Sequence, residues 1–311
     1  MTKPQILQMG TLPDWDQGPL DKAFTVHRYF EAEDKAVFLA QTGPQIQGIA
    51  TRGDLGAPAA IIAACPNLAI ISVYGVGYDA VDMAACSARG IHVTNTPDVL
   101  NGDCADLGVA MMLCLSRGMI GAERHARDGW TRGAYPLQRR VWGARAGILG
   151  MGRIGREVAN RLVGFGMDIA YTNRRAQQTP WQFIADPIAL ATRSDFLFVT
   201  ALANAETRHI VNADVLRALG PQGMLINISR AANIDEGALL TALESGTLGA
   251  AALDVFEGEP NLNPRFLALP NVLLQPHHSS ATFETRQAMG KLMRDNLLAY
   301  FAGQALLTPV I

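Results

Sequence analysis

The sequence predicts an α/β protein with two domains, each built on a parallel sheet, and a cleft between them. Short apolar runs typical of strands alternate with helical stretches along most of the 311 residues. This alternation is the pattern of parallel sheets covered by helices on both faces. One long helical stretch, Asp103–Arg127, interrupts it, and the alternation then begins again. A chain of this length also suits two domains better than one.

The first series of strand–helix units precedes the long helical stretch. Its strands are expected to be joined by right-handed crossovers, because nearly all connections between parallel strands have that hand. The five predicted strands are Ile6–Met9, Phe24–His27, Gly48–Thr51, Ala69–Val73 and His92–Asn95.

The second series supplies six predicted strands and ends in an amphipathic helical stretch, Ala281–Phe301. Because this stretch follows the last strand, we expect it to return to the first domain. The predicted domains are therefore 1–98 with 283–311, and 99–282. The strands are Ala146–Leu149, Asp168–Thr172, Phe196–Thr200, Met224–Ile228, Ala250–Val255 and Val272–Gln275, with helical patterns between them at Ile154–Phe165 and Glu236–Glu244.

Composition excludes several classes of function. The formal net charge of −2 argues against a nucleic-acid or anionic-membrane surface, which needs a basic excess. The amino terminus lacks the apolar core of a signal peptide. The longest apolar stretch, Leu107–Leu115, is far shorter than the roughly 20 residues of a membrane helix. The four cysteines lack metal-site spacing. We therefore expect a cytoplasmic protein without a metal.

A glycine-rich turn follows the predicted strand Ala146–Leu149. Its first glycine would permit a tight turn, its second would let the backbone approach a pyrophosphate, and its third would allow the next helix to pack closely. The start of that helix would supply N–H donors to the phosphates. This glycine fingerprint predicts a dinucleotide-binding Rossmann unit, and its residues are Gly150, Met151, Gly152, Arg153, Ile154 and Gly155.

The residues after the next strand indicate which dinucleotide is bound. Asn173, Arg174 and Arg175 begin 18 residues beyond Gly155, where NAD-binding chains place an acidic residue for the ribose 2′-hydroxyl. A carboxylate there would repel a 2′-phosphate, whereas arginine forms charge-assisted bonds with phosphate oxygens. The sequence therefore predicts a preference for NADP(H) over NAD(H).

Three further segments at strand ends carry residues suited to acid–base chemistry. Asn227–Arg230 offers an arginine, Asp254–Pro260 several carboxylates, and Pro276–Ser280 two histidines. This set suits reduction of a 2-oxo acid, because an arginine can hold the substrate carboxylate and polarise its ketone. A histidine can protonate the developing alkoxide, and a carboxylate bonded to the histidine can orient it.

These motifs together resemble the D-isomer specific 2-hydroxyacid dehydrogenase family, most closely its glyoxylate/hydroxypyruvate reductase and 2-ketogluconate reductase branch. The resemblance implies a flavodoxin-like substrate-binding domain and an NADP-binding Rossmann domain. It covers nearly the whole chain, with matching segments at Ser72–Asp79, the glycine fingerprint, Ser229–Arg230, Asp235–Leu239, Ala252–Phe256, Pro276–His277 and Leu307–Val310.

The resemblance also implies roles for individual residues. Arg230 would bind the substrate, His277 would be the acid–base histidine, and Glu259 would be its carboxylate partner. Asp254 would contact the nicotinamide side, and Ser229 belongs with the cofactor-binding set. Backbone N–H groups of Val76 and Gly77 would hold the substrate carboxylate. Two alternatives remain open, Glu257 in place of Glu259 and His278 in place of His277.

Substrate selection is less determined by the sequence. Arg52 follows a predicted strand and is a candidate for the substrate tail, as are Tyr74 and Leu100. The family resemblance implies a small 2-oxo acid substrate and a homodimer formed around Leu107–Leu115. Alternatives are a bulkier aryl or branched 2-oxo acid, formate or phosphoglycerate, or a nucleotide-sensing protein like the corepressors of this fold.

The chain departs from the family's pattern at two places. His278 and Ser279 stand where members commonly have an apolar residue and a glycine, which weakens the assignment of any single substrate. The segment Thr200–Asn204 lacks a proline that members often place after the corresponding strand. That departure puts local cofactor contacts in doubt.

Overall fold

The chain folds into two compact units in the computed structural model, which describes residues 3–311. One unit contains the residues up to 100 together with 281–311, and the other contains residues 101–280. Each boundary between the two units lies two residues from the domain boundary predicted from the sequence.

The elements alternate between strand and helix through most of both units. Numbered along the chain, the strands are β1 (Gln5–Gln8), β2 (Thr25–Arg28), β3 (Gly48–Arg52), β4 (Ile70–Tyr74), β5 (His92–Thr94), β6 (Arg145–Leu149), β7 (Asp168–Thr172), β8 (Gln182–Phe183), β9 (Phe196–Val199), β10 (Met224–Asn227), β11 (Ala250–Leu253) and β12 (Val272–Leu274). The helices are α1 (Asp14–Ala23), α2 (Lys35–Thr42), α3 (Ala59–Ala64), α4 (Met83–Arg89), α5 (Asn101–Ser116), α6 (Met119–Arg127), α7 (Arg153–Val163), α8 (Pro187–Arg193), α9 (Ala213–Leu219), α10 (Glu236–Glu244) and α11 (Phe283–Phe301).

The first unit is a five-stranded parallel sheet in the order β2-β1-β3-β4-β5. This order is that of flavodoxin-like folds, as the sequence predicts. Strand β4 is buried throughout, and α11 packs on one of its faces, where the Ser72 hydroxyl donates to the Met293 carbonyl at 2.9 Å. The carboxyl ends of β3 and β4 are therefore held in fixed positions at one edge of the sheet.

The second unit is a seven-stranded parallel sheet in the order β12-β11-β10-β9-β6-β7-β8. The order reverses direction between β6 and β9, which is the arrangement of a Rossmann sheet. Ligands of such sheets bind beyond the carboxyl ends of the strands at this reversal. The glycine fingerprint directly follows β6 and therefore lies at that place.

The helical stretch predicted over roughly Asp103–Arg127 is helical in the structure, but it consists of two helices, α5 and α6. Gly118 separates α5 from α6 with a positive φ of 55°, and the two axes are bent by 58°. A glycine adopts this conformation without the steric cost that other residues incur. The phenolic oxygen of Tyr135 donates to the Gly118 carbonyl at 2.7 Å and fixes the break.

Smaller differences concern the ends of elements. Helix α11 begins at Phe283, where the side chain of Thr282 caps it, so Ala281 lies outside the helix. Strand β8 was not expected, because two residues carry no readable alternation. Within residues 3–311, no single helix has the length and composition of a membrane span; α5 and α6 would pass such a test only as a bent pair.

Candidate active site and cofactor site

Three adjacent strands of the second sheet bring the predicted chemical residues to one edge. Strand β10 pairs with β11 and β11 pairs with β12, all parallel and in register at their ends. Because carboxyl ends of parallel strands lie at the same edge, the segments that follow them are neighbours. Arg230, Glu259 and His277 each lie in one of these segments.

A hydrogen bond joins the side chains of His277 and Glu259. The distance from His277 Nδ1 to Glu259 Oε2 is 2.7 Å, and the side chains are 38% and 29% exposed. The second carboxylate oxygen, Oε1, accepts the backbone N–H of Phe256 at 2.8 Å. Since Nδ1 is engaged with the carboxylate, Nε2 is the ring nitrogen left to act on a substrate.

The surroundings of Glu259 keep it ionised. Partial burial alone would raise the pKa of this carboxyl. The hydrogen bonds from His277 and Phe256, together with the charges of His277 and Arg230, outweigh burial and hold the pKa of Glu259 below its usual value. An ionised carboxylate only accepts hydrogen bonds, so it takes the Nδ1–H of His277 and holds the ring in one orientation.

The alternatives left open by the sequence occupy different contacts. The carboxylate of Glu257 lies 3.9 Å from His209 Nε2, away from His277. His278 Nε2 bonds Gln275 Oε1 at 2.7 Å. Neither residue shares the contact that joins Glu259 to His277, and the geometry therefore favours the pair Glu259 and His277 for acid–base chemistry.

Asp254 is fully buried and holds the histidine-bearing loop. Its two carboxylate oxygens accept the backbone N–H groups of His278 and Ser279, both at 2.9 Å. The resemblance gave this residue a contact on the nicotinamide side. In the structure, its carboxylate fixes the backbone of the loop that follows His277.

Arg230 and Ser229 are held by a compact polar turn after β10. The side chain of Asn227 accepts from the Ser229 backbone at 3.0 Å and donates to the Arg230 carbonyl at 3.1 Å. The Ser229 hydroxyl also accepts from the fully buried Asn233, at 3.1 Å. One guanidinium nitrogen of Arg230 donates to the Ser229 carbonyl at 2.8 Å. These bonds fix the backbone from which the arginine side chain extends.

The glycine fingerprint has the geometry that a dinucleotide requires. Gly150 has a φ of 107°, and a Cβ there would lie 2.5 Å from the Ala201 backbone nitrogen. A Cβ on Gly155 would lie 2.2 Å from the Gly150 carbonyl oxygen, so α7 packs directly on the turn. Gly152 differs, because a Cβ there would meet nothing within 4 Å.

Open space at Gly152 coincides with the start of α7. This helix has no side-chain cap at its amino end, so its first N–H groups are directed to the space beside the turn. Met151 is buried beneath, whereas Arg153 is exposed and Ile154 half-buried. The residues therefore fit the diphosphate of a dinucleotide, which binds at helix amino termini through such N–H groups.

Asn173, Arg174 and Arg175 directly follow β7, whose last residue is Thr172. Both arginines are exposed and Asn173 is half-buried. The nearest acidic contact of Arg174 is Glu206, 3.6 Å away and itself exposed. An exposed pair at this distance is weak, so it competes little with a bound phosphate.

In the first unit, the turn after β4 presents two N–H groups. Gly75, with a φ of 149°, donates to the Thr96 hydroxyl at 3.0 Å, and the Asn95 side chain donates to the Val76 carbonyl at 2.8 Å. No residue in 3–311 accepts the N–H of Val76 or Gly77. The turn can therefore offer both groups to a carboxylate.

Arg52 is already engaged at the end of β3. Its guanidinium forms two bonds to Asp54, at 3.0 and 2.5 Å. The hydrogen bond to Asp54 raises the pKa of Arg52 above its usual range, so the side chain is a permanent cation with a compensating carboxylate. A role at the substrate tail would require it to share or exchange that partner.

Some supporting residues were not expected from the sequence. Asn95 and Thr96 hold the Val76 turn, Asn227 and Asn233 hold Ser229, and Glu236 accepts the backbone N–H of Glu257 at 3.0 Å. Most of them bind backbone groups, and Asn233 binds the Ser229 hydroxyl; all of these contacts are made only on folding. The only available signal was the concentration of short polar residues at strand ends, which is common to loops in general.

Comparison with known proteins shows the family of the chain. Residues 109–279 match the family model described as D-isomer specific 2-hydroxyacid dehydrogenase, NAD binding domain. A 2-ketogluconate reductase from Gluconobacter oxydans is 41% identical over 312 residues, covering 100% of this chain and 99% of that protein.

Two solved structures are similar over nearly the full length. A 2-hydroxyacid dehydrogenase from Ketogulonicigenium vulgare Y25 is 67% identical with a TM-score of 0.94, covering 100% of this chain and 99% of that one. An NADPH-dependent glyoxylate/hydroxypyruvate reductase from Sinorhizobium meliloti, in complex with NADP and malonate, is 41% identical with a TM-score of 0.94. That match covers 99% of this chain and 97% of the other.

Proposed function

The chain belongs to the D-isomer specific 2-hydroxyacid dehydrogenase family, and we propose that it reduces a small 2-oxo acid to the D-2-hydroxy acid with NADPH. The observation that carries the proposal is the pair formed by His277 and Glu259, at 2.7 Å, on the strand-end edge that also carries Arg230. The family resemblance inferred from the sequence motifs is confirmed, and the protein is a dehydrogenase with an NAD(P)-binding domain.

Each residue of the site has a defined part in this reaction. Bound NADPH supplies the hydride that reduces the carbonyl carbon. The guanidinium of Arg230 draws electron density towards the carbonyl oxygen and stabilises the developing alkoxide. His277 donates a proton from Nε2 to that oxygen, while Glu259 holds Nδ1 and stabilises the imidazolium before transfer. Val76 and Gly77 offer N–H groups to the substrate carboxylate.

The preference for NADPH rests on the turn after β7. Arg174 and Arg175 are exposed cations at the position where a ribose 2′-phosphate would lie, and Asn173 brings no repelling carboxylate. The similar enzyme from Sinorhizobium meliloti is NADPH-dependent. Replacing both arginines with glutamine is expected to raise KM for NADPH at least tenfold and leave KM for NADH within twofold. Equal KM values for NADPH before and after replacement would contradict the preference.

The substrate is proposed to be glyoxylate, hydroxypyruvate or 2-ketogluconate. The decisive experiment follows NADPH and NADH oxidation at 340 nm with these acids and with phenylpyruvate and branched 2-oxo acids. Fastest turnover of a short or hydroxylated acid supports the proposal. Fastest turnover of an aryl or branched acid would contradict it and identify a bulkier 2-oxo acid as the substrate. No oxidation with any acid would favour a nucleotide-sensing protein.

Variants of the acid–base pair test the residue assignment in the same assay. His277→Gln and Glu259→Gln are each expected to lower kcat about 10²–10⁴-fold, which is the usual contribution of a general acid and its partner. NADPH binding should survive, because neither residue belongs to the glycine fingerprint. Turnover near that of the parent in His277→Gln would remove His277 from the mechanism, and Glu257→Gln serves as the matched control on the same loop.

We also propose a homodimer, placed on different residues from those expected. Apart from Ala110, the apolar side chains of α5 are buried or half-buried within their own unit, so they offer less to a second copy than exposed ones would. The following region carries large apolar side chains that are each more than half exposed, at Met119, Ile120, Trp130, Leu137 and Trp142. An exposed apolar set of this kind marks an association surface.

A further inference from the structure

Arg286 is a half-buried cation in the first unit. It lies in the first turn of α11, and its backbone carbonyl accepts the phenolic O–H of Tyr74 at 2.8 Å. The centre of its guanidinium lies 5.8 Å from the centroid of the Tyr74 ring. The side chain is thus held over the last residue of β4, next to the turn formed by Gly75, Val76 and Gly77.

Arg286 differs from every other arginine of this unit. Arg28 pairs with Asp21 at 2.7 Å, Arg52 with Asp54, and Arg294 lies 4.0 Å from Asp16, while Arg89 donates to the backbone carbonyls of three residues. By contrast, the guanidinium of Arg286 makes no ion pair with any residue of 3–311, and its hydrogen-bond partner is the neutral phenol of Tyr74. Its guanidinium thus faces the ring and the phenolic oxygen of Tyr74, a side chain that carries no charge to balance its own.

This arrangement is unfavourable for the protein alone. Removing a guanidinium from water without an anionic partner costs free energy, and one neutral phenol replaces few of the hydrogen bonds that its five N–H groups make to water. A cation in the first turn of a helix is also repelled by the positive end of the helix dipole. The contact with the Tyr74 ring offsets only part of these costs. Residues that break local rules in this way are expected at functional sites.

The position of Arg286 points to the substrate tail. Val76 and Gly77 come two and three residues after Tyr74, a separation of at most about 11 Å for extended chain. Arg52, which pairs with Tyr74 across β3 and β4, already has its charge balanced by Asp54. Arg286 is therefore the cation beside this turn whose charge remains to be balanced.

We propose that Arg286 binds a polar group at the far end of the 2-oxo acid, while the turn at Val76 and Gly77 holds its carboxylate. The inference rests on the function proposed above. The guanidinium has five N–H donors in one plane, so it recognises hydroxyl or carboxylate oxygens and gains nothing from an aryl or alkyl tail. The substrate class is therefore 2-oxo acids with oxygen on the carbons beyond C2.

The test compares substrates that differ only in their tails. Hydroxypyruvate carries a hydroxyl, phenylpyruvate an aryl group, and glyoxylate has no tail. In Arg286→Met, the ratio of kcat/KM for hydroxypyruvate to that for glyoxylate is expected to fall at least tenfold, and the ratio to phenylpyruvate further. Arg286→Lys is expected to recover part of both ratios. Arg28→Met removes an arginine of the same unit that is paired with Asp21, and both ratios should stay at their parent values.

Two results would overturn the inference. Unchanged ratios in Arg286→Met would show that the tail does not meet this side chain. An equal fall for all three acids would assign Arg286 to the substrate carboxylate or to the fold, and a lowered thermal midpoint would identify the fold. If Arg286→Met does not fold, Arg286→Gln provides the same ratios with a polar side chain of smaller size. A parent enzyme that reduces none of the acids would refute the proposed function itself, which is a distinct outcome.

Discussion

Gly152 is the residue at which cofactor binding can be separated from stability. A Cβ added there meets no protein atom within 4 Å, whereas one added at Gly155 would lie 2.2 Å from a backbone oxygen. Gly152→Ala should therefore change the unfolding free energy by less than about 1 kcal/mol. Its methyl group would nevertheless occupy the space assigned to the diphosphate, so the Kd for NADPH should rise more than tenfold.

The measurement is NADPH fluorescence titration together with thermal unfolding. Gly237→Ala is the matched control, because Gly237 is an exposed glycine of α10 whose Cβ would meet its nearest neighbour at 3.5 Å. Unchanged NADPH affinity in Gly152→Ala would contradict the placement of the diphosphate. Gly155→Ala should lower both stability and affinity, because Cβ contact with the Gly150 carbonyl forces α7 away from β6.

Asp16 makes the stability of the first unit depend on pH. Its side chain is buried between α1 and α11, one of its oxygens has no hydrogen-bond partner among the described residues, and Arg294 is 4.0 Å from the other. Burial raises the pKa of this carboxyl from 3.8 to about 6, against the opposing effects of Arg294 and Trp15. The folded protein therefore binds this proton more tightly than the unfolded chain does.

Stability should accordingly be lost as pH rises from about 4 through about 6. Asp16→Asn keeps the shape of the side chain and removes the charge. It should match the parent near pH 4 and exceed it by about 1–3 kcal/mol at pH 8, where the parent carries the buried anion. Thermal unfolding of both proteins at pH 4.5 and pH 8 measures this difference. A gap that does not widen with pH would contradict the assigned pKa.

At the scale of elements, α10 supports the catalytic edge through one hydrogen bond. Glu236, in its first turn, accepts the backbone N–H of Glu257 at 3.0 Å, two residues before Glu259. Without that bond the segment between β11 and Glu259 loses an anchor, and Glu259 no longer holds His277 in one orientation. Glu236→Ala should therefore lower kcat about tenfold with little change in KM for NADPH.

The conservative variant Glu236→Gln shows whether Glu236 positions the segment before Glu259 or whether its negative charge is needed. Glu236→Gln keeps an acceptor oxygen and should retain most of the parent kcat. Glu244→Ala removes a carboxylate from the same helix, where it pairs with Arg265 at 2.8 and 2.7 Å, and kcat should stay at the parent value. Equal losses in Glu236→Gln and Glu236→Ala would contradict the positioning role.

The strands were the most predictable elements of this chain. Buried parallel strands such as β6, β7 and β10 are short apolar runs that end where glycine or polar residues follow, and these features are local. The break at Gly118 was missed, because a single glycine in a helical pattern is compatible with continuation as well as with a left-handed turn. Its conformation depends on Tyr135, 17 residues away.

For the candidate site, too, one part could be predicted from the sequence and another could not. Gly150, Arg230 and His277 could be located because they lie at strand ends within recognisable motifs. The bonds that hold them could not be located. Asp254 binds backbone groups 24 and 25 residues away, and Glu236 binds one 21 residues away. Such bonds are set by the order of the strands in the sheet, which spacing along one chain does not encode.

At the scale of the whole molecule, the exposed apolar side chains of α6 and the segment after it are the basis of the proposed homodimer. Leu137 is fully exposed, and Met119 and both nearby tryptophans, Trp130 and Trp142, are more than half exposed. Burial of apolar area yields about 25 cal/mol per Å², and a stable interface buries about 1,200–2,000 Å² in total. A second copy of the chain that covers this surface would bury its apolar area and form an interface of that size.

The parent protein should therefore have twice the 33.4 kDa mass of one chain in light scattering after gel filtration at micromolar concentration. Combining Met119→Asp with Leu137→Asp places two charges on the proposed contact, and the mass should fall to that of one chain. Leu267→Asp is the matched control, because Leu267 is an exposed leucine of the same unit outside this set and should leave the dimer intact. A parent mass of one chain, or a dimer that survives both charges, would show that the apolar surface serves another partner.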